Sequence, residues 1–169
     1  MPGTRLRTER LELLRLPPAA AGVLSDDRSE AARIIGAELS VDWPAADLLD
    51  MLPMQAGASP EQARYGVWVI VERFIATVIG DIGFLGPPGP EDTVEIGYGI
   101  VPDCRRQGYA TEVARGLAAW AMEQPRVGVI VAVCDEDNLP SIRTLERVGF
   151  ARTRKQEGRL RWQLERWQL

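Results

Sequence analysis

From Tyr65 onward, apolar and polar residues follow one another in patterns typical of strands. The runs YGVWVIVE, FIATVIGDIGFLG and TVEIGYGIV are rich in β-branched residues and are separated by turns containing Gly and Pro. The glycines within the second run indicate a bulge or a bend. Three such runs in succession predict an antiparallel meander.

Two other patterns precede the meander. The stretch RLRTERLELLRL alternates leucines with charged residues, which predicts a half-buried first strand that Pro17 and Pro18 end. Residues 17 to 64 then have the pattern of several short helices joined by loops. We expect breaks in this region at Pro44, Pro53 and Pro60 and helix caps at Asp26, Asp42 and Ser59.

After the meander the apolar spacing becomes helical at Gly108, and Pro125 ends that helix. Its buried face is predicted to comprise Ala110, Val113, Ala114, Leu117, Ala118 and Ala121. VGVIVAVC then reads as a strand buried on both faces. A helix from about Asn138 to Val148, closed by Gly149, and two strands that turn at Gly158 complete the chain. This order of elements predicts an α+β domain over residues 1–169.

Composition narrows the chemistry that the domain can carry out. The chain has no histidine and only two cysteines, Cys104 and Cys134, so we expect no metal site. Acid–base catalysis must then be carried out by carboxylates, hydroxyls, thiols or water. The net charge of −4 argues against a nucleic-acid partner. The opening MPGTRLRTER has no apolar segment of a signal peptide and no run is long enough to span a membrane, which predicts a cytoplasmic protein without a membrane partner.

The charge is unevenly distributed along the chain. Acidic residues are concentrated between Asp26 and Asp50, and basic residues between Arg147 and Arg166. These segments are interpreted either as solvated faces or as an acidic approach for a cationic substrate and a basic edge near a phosphate-bearing one.

The stretch CRRQGYATEVARG, residues 104–116, carries the strongest functional signal. A glycine turn that leads into a helix presents free N–H groups at the positive end of the helix dipole, where a phosphate can bind. The spacing is that of neither a Walker loop nor a dinucleotide-binding turn. On these grounds alone, a phosphate site and an ordinary glycine turn both remain open.

The same stretch resembles the pyrophosphate loop of the GNAT superfamily of acyl-coenzyme A N-acyltransferases, Arg/Gln-x-x-Gly-x-Gly/Ala. Here Arg105, Gly108 and Ala110 match that pattern. The stretches LRTERLELLRL, EIGYGIVPDCRRQGYATE and NLPSIRTLERVGF are similar to the branch that includes ribosomal-protein N-terminal acetyltransferases. The resemblance implies a three-layer α/β arrangement, with a mixed, mostly antiparallel sheet of about seven strands flanked by helices and a splay between the fourth and fifth strands.

The resemblance also implies acetyl-CoA as co-substrate, with its pantetheine arm between the splayed strands and its pyrophosphate on the glycine turn. Asn138 would reach the pantetheine, although it serves equally well as a plain helix cap. The residues so implied for acetyl-CoA are Ile100, Val101, Arg105, Arg106, Gln107, Gly108, Tyr109, Ala110, Thr111, Asn138 and Ser141.

The reaction implied is direct attack of an amine on the thioester, without an acyl-enzyme. Glu95 matches a position where relatives carry a carboxylate base, unless it is only a solvent-facing strand residue. Many relatives have a tyrosine acid at the position of Leu145, so this chain departs from the pattern there. Ser141 is the alternative acid unless it is only a first-turn serine, and Tyr98 is a further hydroxyl candidate.

The acceptor is expected to meet the helices after the first strand and the KQEGRL turn. Trp43 and the acidic residues Asp42 and Asp47 are candidates there, with packing and capping as their alternatives. The hypotheses are acetylation of a peptide N-terminal amine, acetylation of a small-molecule amine, and an acyl-CoA sensor without turnover. The strand RLRWQLERWQL either pairs across a dimer or closes the sheet, and the resemblance favours a homodimer.

Overall fold

One mixed sheet runs through the protein, which we describe from a computed structural model for residues 5–168. It contains nine strands: β1 (Arg5–Arg7), β2 (Leu11–Arg15), β3 (Glu38–Leu39), β4 (Val67–Glu72), β5 (Thr77–Phe84), β6 (Thr93–Ile100), β7 (Val129–Asp135), β8 (Ala151–Gln156) and β9 (Arg159–Glu165). Their spatial order is β1-β2-β4-β5-β6-β7-β9-β8, and β3 pairs separately with β5. All neighbours are antiparallel except β6–β7 and β3–β5, so the predicted mostly antiparallel sheet is confirmed.

The predicted meander is β4–β5–β6, and its bulge lies where the glycines indicated. The register between β4 and β5 shifts between Ile70 and Val71, which leaves Ile79 of β5 without a partner. Next to the bulge, a Cβ on Gly80 would come within 2.2 Å of the carbonyl oxygen of Gly99. Only glycine permits this approach of β5 to β6.

The six helices of the described region flank the sheet: α1 (Pro18–Val23), α2 (Arg28–Ile35), α3 (Ala46–Ala56), α4 (Pro60–Arg64), α5 (Tyr109–Met122) and α6 (Leu139–Val148). Tyr98 of β6 contacts Ser141 of α6. Asp81 of β5 is in register with Gly99, which follows Tyr98 on β6. Asp81 accepts a hydrogen bond from Trp43, which lies shortly before the start of α3. Successive strand residues point to opposite sides. We therefore name the two sides of the sheet the α6 face and the α3 face.

Most helix signals read from the sequence are confirmed. The buried side of α5 includes Val113, Ala114 and Leu117. Asn138 caps α6 and Gly149 ends it in the left-handed conformation. Ser59 caps α4 in a capping box.

Other sequence expectations were wrong in detail. Asp27 caps α2 in place of Asp26, and α3 begins after Ala45 rather than at an Asp42 cap. Pro53 lies within α3 and does not break it.

The first predicted strand is a hairpin of β1 and β2, because the chain reverses at residues 8–10. Together with the two-residue β3, this raises the number of strands in the described region to nine, against about seven expected.

The last strand closes the sheet. β9 pairs with β7 on one side and β8 on the other, so it has no free edge for a dimer partner. Trp162 is buried in the core. Trp167 follows β9 in a single helical turn and is 77% exposed. The expectation of a homodimer therefore has no support from this strand.

The helices within residues 5–168 are all too short or too polar to cross a membrane.

Candidate functional site

The two parallel strands at the middle of the sheet separate towards their ends. β6 and β7 pair from Thr93–Val129 to Ile96–Ala132, after which β6 continues to Ile100 and β7 to Asp135 without pairing to each other. A cleft of about 260 Å³ lies at this point, bordered by both strands, the start of α6, Asp47 and Arg159. We call it the splay cleft.

The glycine turn before α5 contains a run of backbone N–H donors that lack acceptors in the described part of the chain. Gly108 has a φ of +79° and Arg106 a φ of +62°, so the chain curls before the helix starts at Tyr109. Within residues 5–168, the N–H groups of residues 106–111 have no hydrogen-bond acceptor. Converging free N–H groups at a helix N-terminus suit the negative charge of a phosphate.

A side chain from the distant β1–β2 turn holds this loop in place. Arg10 donates from Nη1 to the carbonyl of Gln107 at 2.8 Å and from Nε to Glu112 at 2.7 Å. Its guanidinium lies 4.5 Å from the centre of the Tyr109 ring. The Arg10 N–H and the Thr8 hydroxyl also donate to Glu112, at 2.8 and 2.5 Å. Because 102 residues separate Arg10 from Glu112, local sequence patterns give no signal for this contact.

The hydrogen bonds change the acidity of Glu112. Burial acts to raise the pKa of its carboxyl, but the bonds from Thr8 and Arg10 outweigh burial and lower the pKa. Glu112 is therefore a carboxylate at neutral pH and a stable anchor for Arg10.

The strand that leads into the loop directs main-chain groups toward β7. The N–H of Val101 donates to Ile79 on β5, so the main-chain groups of Ile100 point the other way, toward β7. The carbonyl of Ile100 accepts a hydrogen bond from Nε of Arg105 at 2.8 Å. Both main-chain groups of Val101 have protein partners, Ile79 and Cys104, which differs from the expectation of a ligand contact there.

The candidate acid Ser141 is paired with Tyr98 across the cleft. Their hydroxyl oxygens are 3.1 Å apart, and Oδ1 of Asn138 accepts from the N–H of Ser141 at 3.2 Å. All three residues line the splay cleft. Burial raises the pKa of Tyr98, so its hydroxyl stays protonated at neutral pH. Leu145, at the position of the relatives' tyrosine, is buried at the same cleft.

The candidate base Glu95 lies on the other side of the sheet. It is half-buried on the α3 face, paired with Val131, and does not itself border the splay cleft. Along the same face follow Gly97 and Gly99, where an added Cβ would meet nothing within 4 Å. The α3 face of β6 is therefore an open surface beside the cleft, which we call the glycine floor after Gly97 and Gly99. Glu95 lies at one end of it.

A carboxylate that the sequence patterns did not single out lies next to this floor. Asp81 is in register with Gly99 and accepts from Nε1 of Trp43 at 2.8 Å. Burial raises the pKa of Asp81 to about 6; the bond from Trp43 opposes this rise and nearby Asp47 adds to it. Trp43 is buried and does not border the splay cleft, whereas Asp47 does.

No cluster of three or more potential metal ligands occurs within residues 5–168. Cys104 and Cys134 are both free thiols, and Cys134 is buried at the cleft.

Comparison with known proteins identifies the architecture. Residues 10–151 match a family described as Acetyltransferase (GNAT) domain. The chain belongs to this GNAT acetyltransferase family. It is an acyltransferase, and it is 31% identical over 160 residues to the uncharacterized N-acetyltransferase YjdG of Bacillus subtilis (strain 168), an alignment covering 93% of this chain and 95% of that protein.

Solved GNAT structures share the fold at low sequence identity. RimL, a ribosomal L7/L12 alpha-N-protein acetyltransferase in complex with coenzyme A, has a TM-score of 0.66 and 14% identity, covering 95% of this chain and 97% of its own. The microcin C7 self-immunity acetyltransferase MccE, in complex with acetyl-CoA and AMP, has a TM-score of 0.63 and 17% identity, with 93% of each chain covered. These GNAT neighbours bind coenzyme A or acetyl-CoA.

Proposed function

We propose that this protein is an acetyl-CoA-dependent N-acetyltransferase that acts on a primary amine, of a peptide N-terminus or of a small molecule. The observation that carries the proposal is the run of free N–H groups at residues 106–111, beside strands that leave main-chain groups unpaired. The free groups are where a pyrophosphate and a pantetheine amide need donors and acceptors. Acetyl-CoA supplies the acetyl thioester that the amine attacks.

The protein's own groups manage the protons of this reaction. The C–N bond forms as the C–S bond breaks, so the amine gives up a proton and the departing sulfur takes one. Glu95 accepts the first proton directly or through water, on the α3 face. The paired hydroxyls of Ser141 and Tyr98 deliver the second on the α6 face. Base and acid thus act from opposite sides of the sheet, and the overall change is amine plus thioester to amide plus thiol.

The proposal is tested by titrating acetyl-CoA into the parent and into Gly108→Glu by calorimetry. The substitution places a side chain and a negative charge on the loop, and we expect it to abolish micromolar binding. Gly36→Glu is the matched control. Gly36 also has a left-handed φ, +83°, and an added Cβ there would meet nothing within 4 Å, but this glycine caps α2 and not the loop before α5. Both variants should lose similar stability, about 1 kcal/mol, and only the first should lose binding.

Turnover is then measured as acceptor-dependent release of the coenzyme A thiol across a panel of amines and peptides. A parent protein that does not bind acetyl-CoA, or a Gly108→Glu variant that binds as well as Gly36→Glu, would contradict the assignment of the loop.

A further inference from the structure

A second concave surface lies next to the splay cleft, on the α3 face of the last hairpin. Its volume is about 310 Å³. Val133 of β7 is in register with Arg161 of β9, and Arg161 with Arg154 of β8. Arg159 is in register with Gln156, so it shares this face as well. We call this surface the arginine groove, after Arg154, Arg159 and Arg161.

The groove adjoins the splay cleft. Val133 and Arg159 border both cavities. Both also lie on the α3 face, the side of the sheet that carries Glu95 and the glycine floor of β6. An acceptor whose amine enters the cleft from this face therefore has the arginine groove beside it.

Three arginines and one carboxylate, Glu157, line the groove, so its charge is positive on balance. Arg159 forms an ion pair with Asp135 at 3.7 Å. In the described part of the chain, no carboxylate lies within ion-pair distance of Arg154 or Arg161, and both side chains are exposed. Guanidinium groups bind carboxylates and phosphates with paired hydrogen bonds. Across the cleft lies Asp47, whose charge suits an ammonium.

We propose that the arginine groove binds an anionic group of the acceptor, so that preferred acceptors are amines that also carry a carboxylate or a phosphate. This inference rests on the proposed function and specifies its acceptor. The groove does not serve the pyrophosphate loop, because that loop contacts the β1–β2 turn near one edge of the sheet, whereas β9 and β8 form the other edge.

The inference is tested with matched acceptor pairs that differ only in the anion. Suitable pairs are an amino acid and its amide, phosphoethanolamine and ethanolamine, and short peptides with Glu or Lys in the second position. We expect the parent to have a higher kcat/KM for the anionic member of at least one pair. Preference within the small-molecule pairs or within the peptides shows which of the two supplies the anion.

Variants connect this preference to the groove. Arg154→Ala and Arg161→Ala should each lower kcat/KM for the anionic member about tenfold, leave the neutral member nearly unchanged and leave the KM for acetyl-CoA unchanged. Arg161→Glu should reverse the preference in favour of cationic acceptors. Arg152→Ala is the matched control, because Arg152 is on the same strand but in register with Trp162, on the α6 face.

A binding measurement separates this inference from the proposed function. Side-chain Nε–Hε resonances of the arginines are followed by NMR while phosphoethanolamine or ethanolamine is added without acetyl-CoA. Shifts of the Arg154 and Arg161 resonances with the anionic member alone, while the Arg152 resonance stays unmoved, support the groove even where acetyl-CoA binding fails. Equal response to both members, or equal kcat/KM for both in the parent, overturns the inference and leaves Arg154 to protect the edge strand β8 from pairing.

Discussion

At the level of single residues, the candidate acid of the proposed reaction is the pair of hydroxyls of Tyr98 and Ser141. They come from a strand and a helix 43 positions apart and meet at 3.1 Å. The family resemblance implied Ser141 as the alternative acid, unless it was only a first-turn serine, and Tyr98 was a further candidate. The structure shows one hydrogen-bonded pair.

We expect Ser141→Ala to reduce kcat about a hundredfold with unchanged affinity for acetyl-CoA. Tyr98→Phe should reduce kcat as well. The kcat of the double variant should be only slightly below that of the slower single variant, because the two groups act as a unit. Ser29→Ala, an exposed serine of α2, is the control. Steady-state kinetics and calorimetry on the four variants check this, and strictly additive losses would contradict a shared role.

Among the elements, the β1–β2 hairpin positions the loop before α5 without itself being a binding loop. Arg10 connects the carbonyl of Gln107, the carboxylate of Glu112 and the ring of Tyr109. The N–H groups of the loop therefore keep their directions through a contact made from the opposite end of the sequence.

Removing this connection should weaken acetyl-CoA binding. We expect Arg10→Ala to raise the Kd about tenfold, and Arg10→Lys to rescue little, because an ammonium cannot bridge the carbonyl and the carboxylate in the same planar geometry. Adding Glu112→Gln to Arg10→Ala should raise the Kd for acetyl-CoA little further. Arg7→Ala, which removes only the ion pair with Glu12 in the same hairpin, should bind normally. A Tm that falls while the Kd stays constant would show that Arg10 serves stability alone.

For the molecule as a whole, the contact between Asp81 and Trp43 joins the helical layer to the sheet and makes folding stability depend on pH. The pKa of Asp81 is about 6 in the folded protein, above its ordinary value of 3.8. The native state therefore binds this proton more tightly than the unfolded chain does. Its unfavourable contribution is fully present above pH 6 and disappears as the pH falls below the unfolded value.

Asp81→Asn retains an oxygen acceptor for Trp43 and removes the charge. We expect its free energy of unfolding at pH 7 to exceed that of the parent by up to about 3 kcal/mol, and the difference to vanish near pH 4. Urea denaturation across this pH range, with the exposed Asp50→Asn as control, measures the effect. Equal pH profiles for the parent and Asp81→Asn would contradict the raised pKa.

Features that depend only on neighbouring residues were predicted from the sequence. The left-handed Gly108 and Gly149, the caps at Ser59 and Asn138 and the strands of the meander depend on local backbone preferences and periodicity. The family resemblance of the glycine turn led from these to acetyl-CoA.

Contacts between distant segments were decided only by tertiary structure. Local periodicity did not show that residues 8–10 reverse the first strand, because a short hairpin and one strand share the same alternation of residues. It did not pair Arg10 with Glu112 or Trp43 with Asp81, since such contacts are set by which strands become neighbours. The register between β8 and β9 likewise placed Arg154 and Arg161 on one face, beside the cleft.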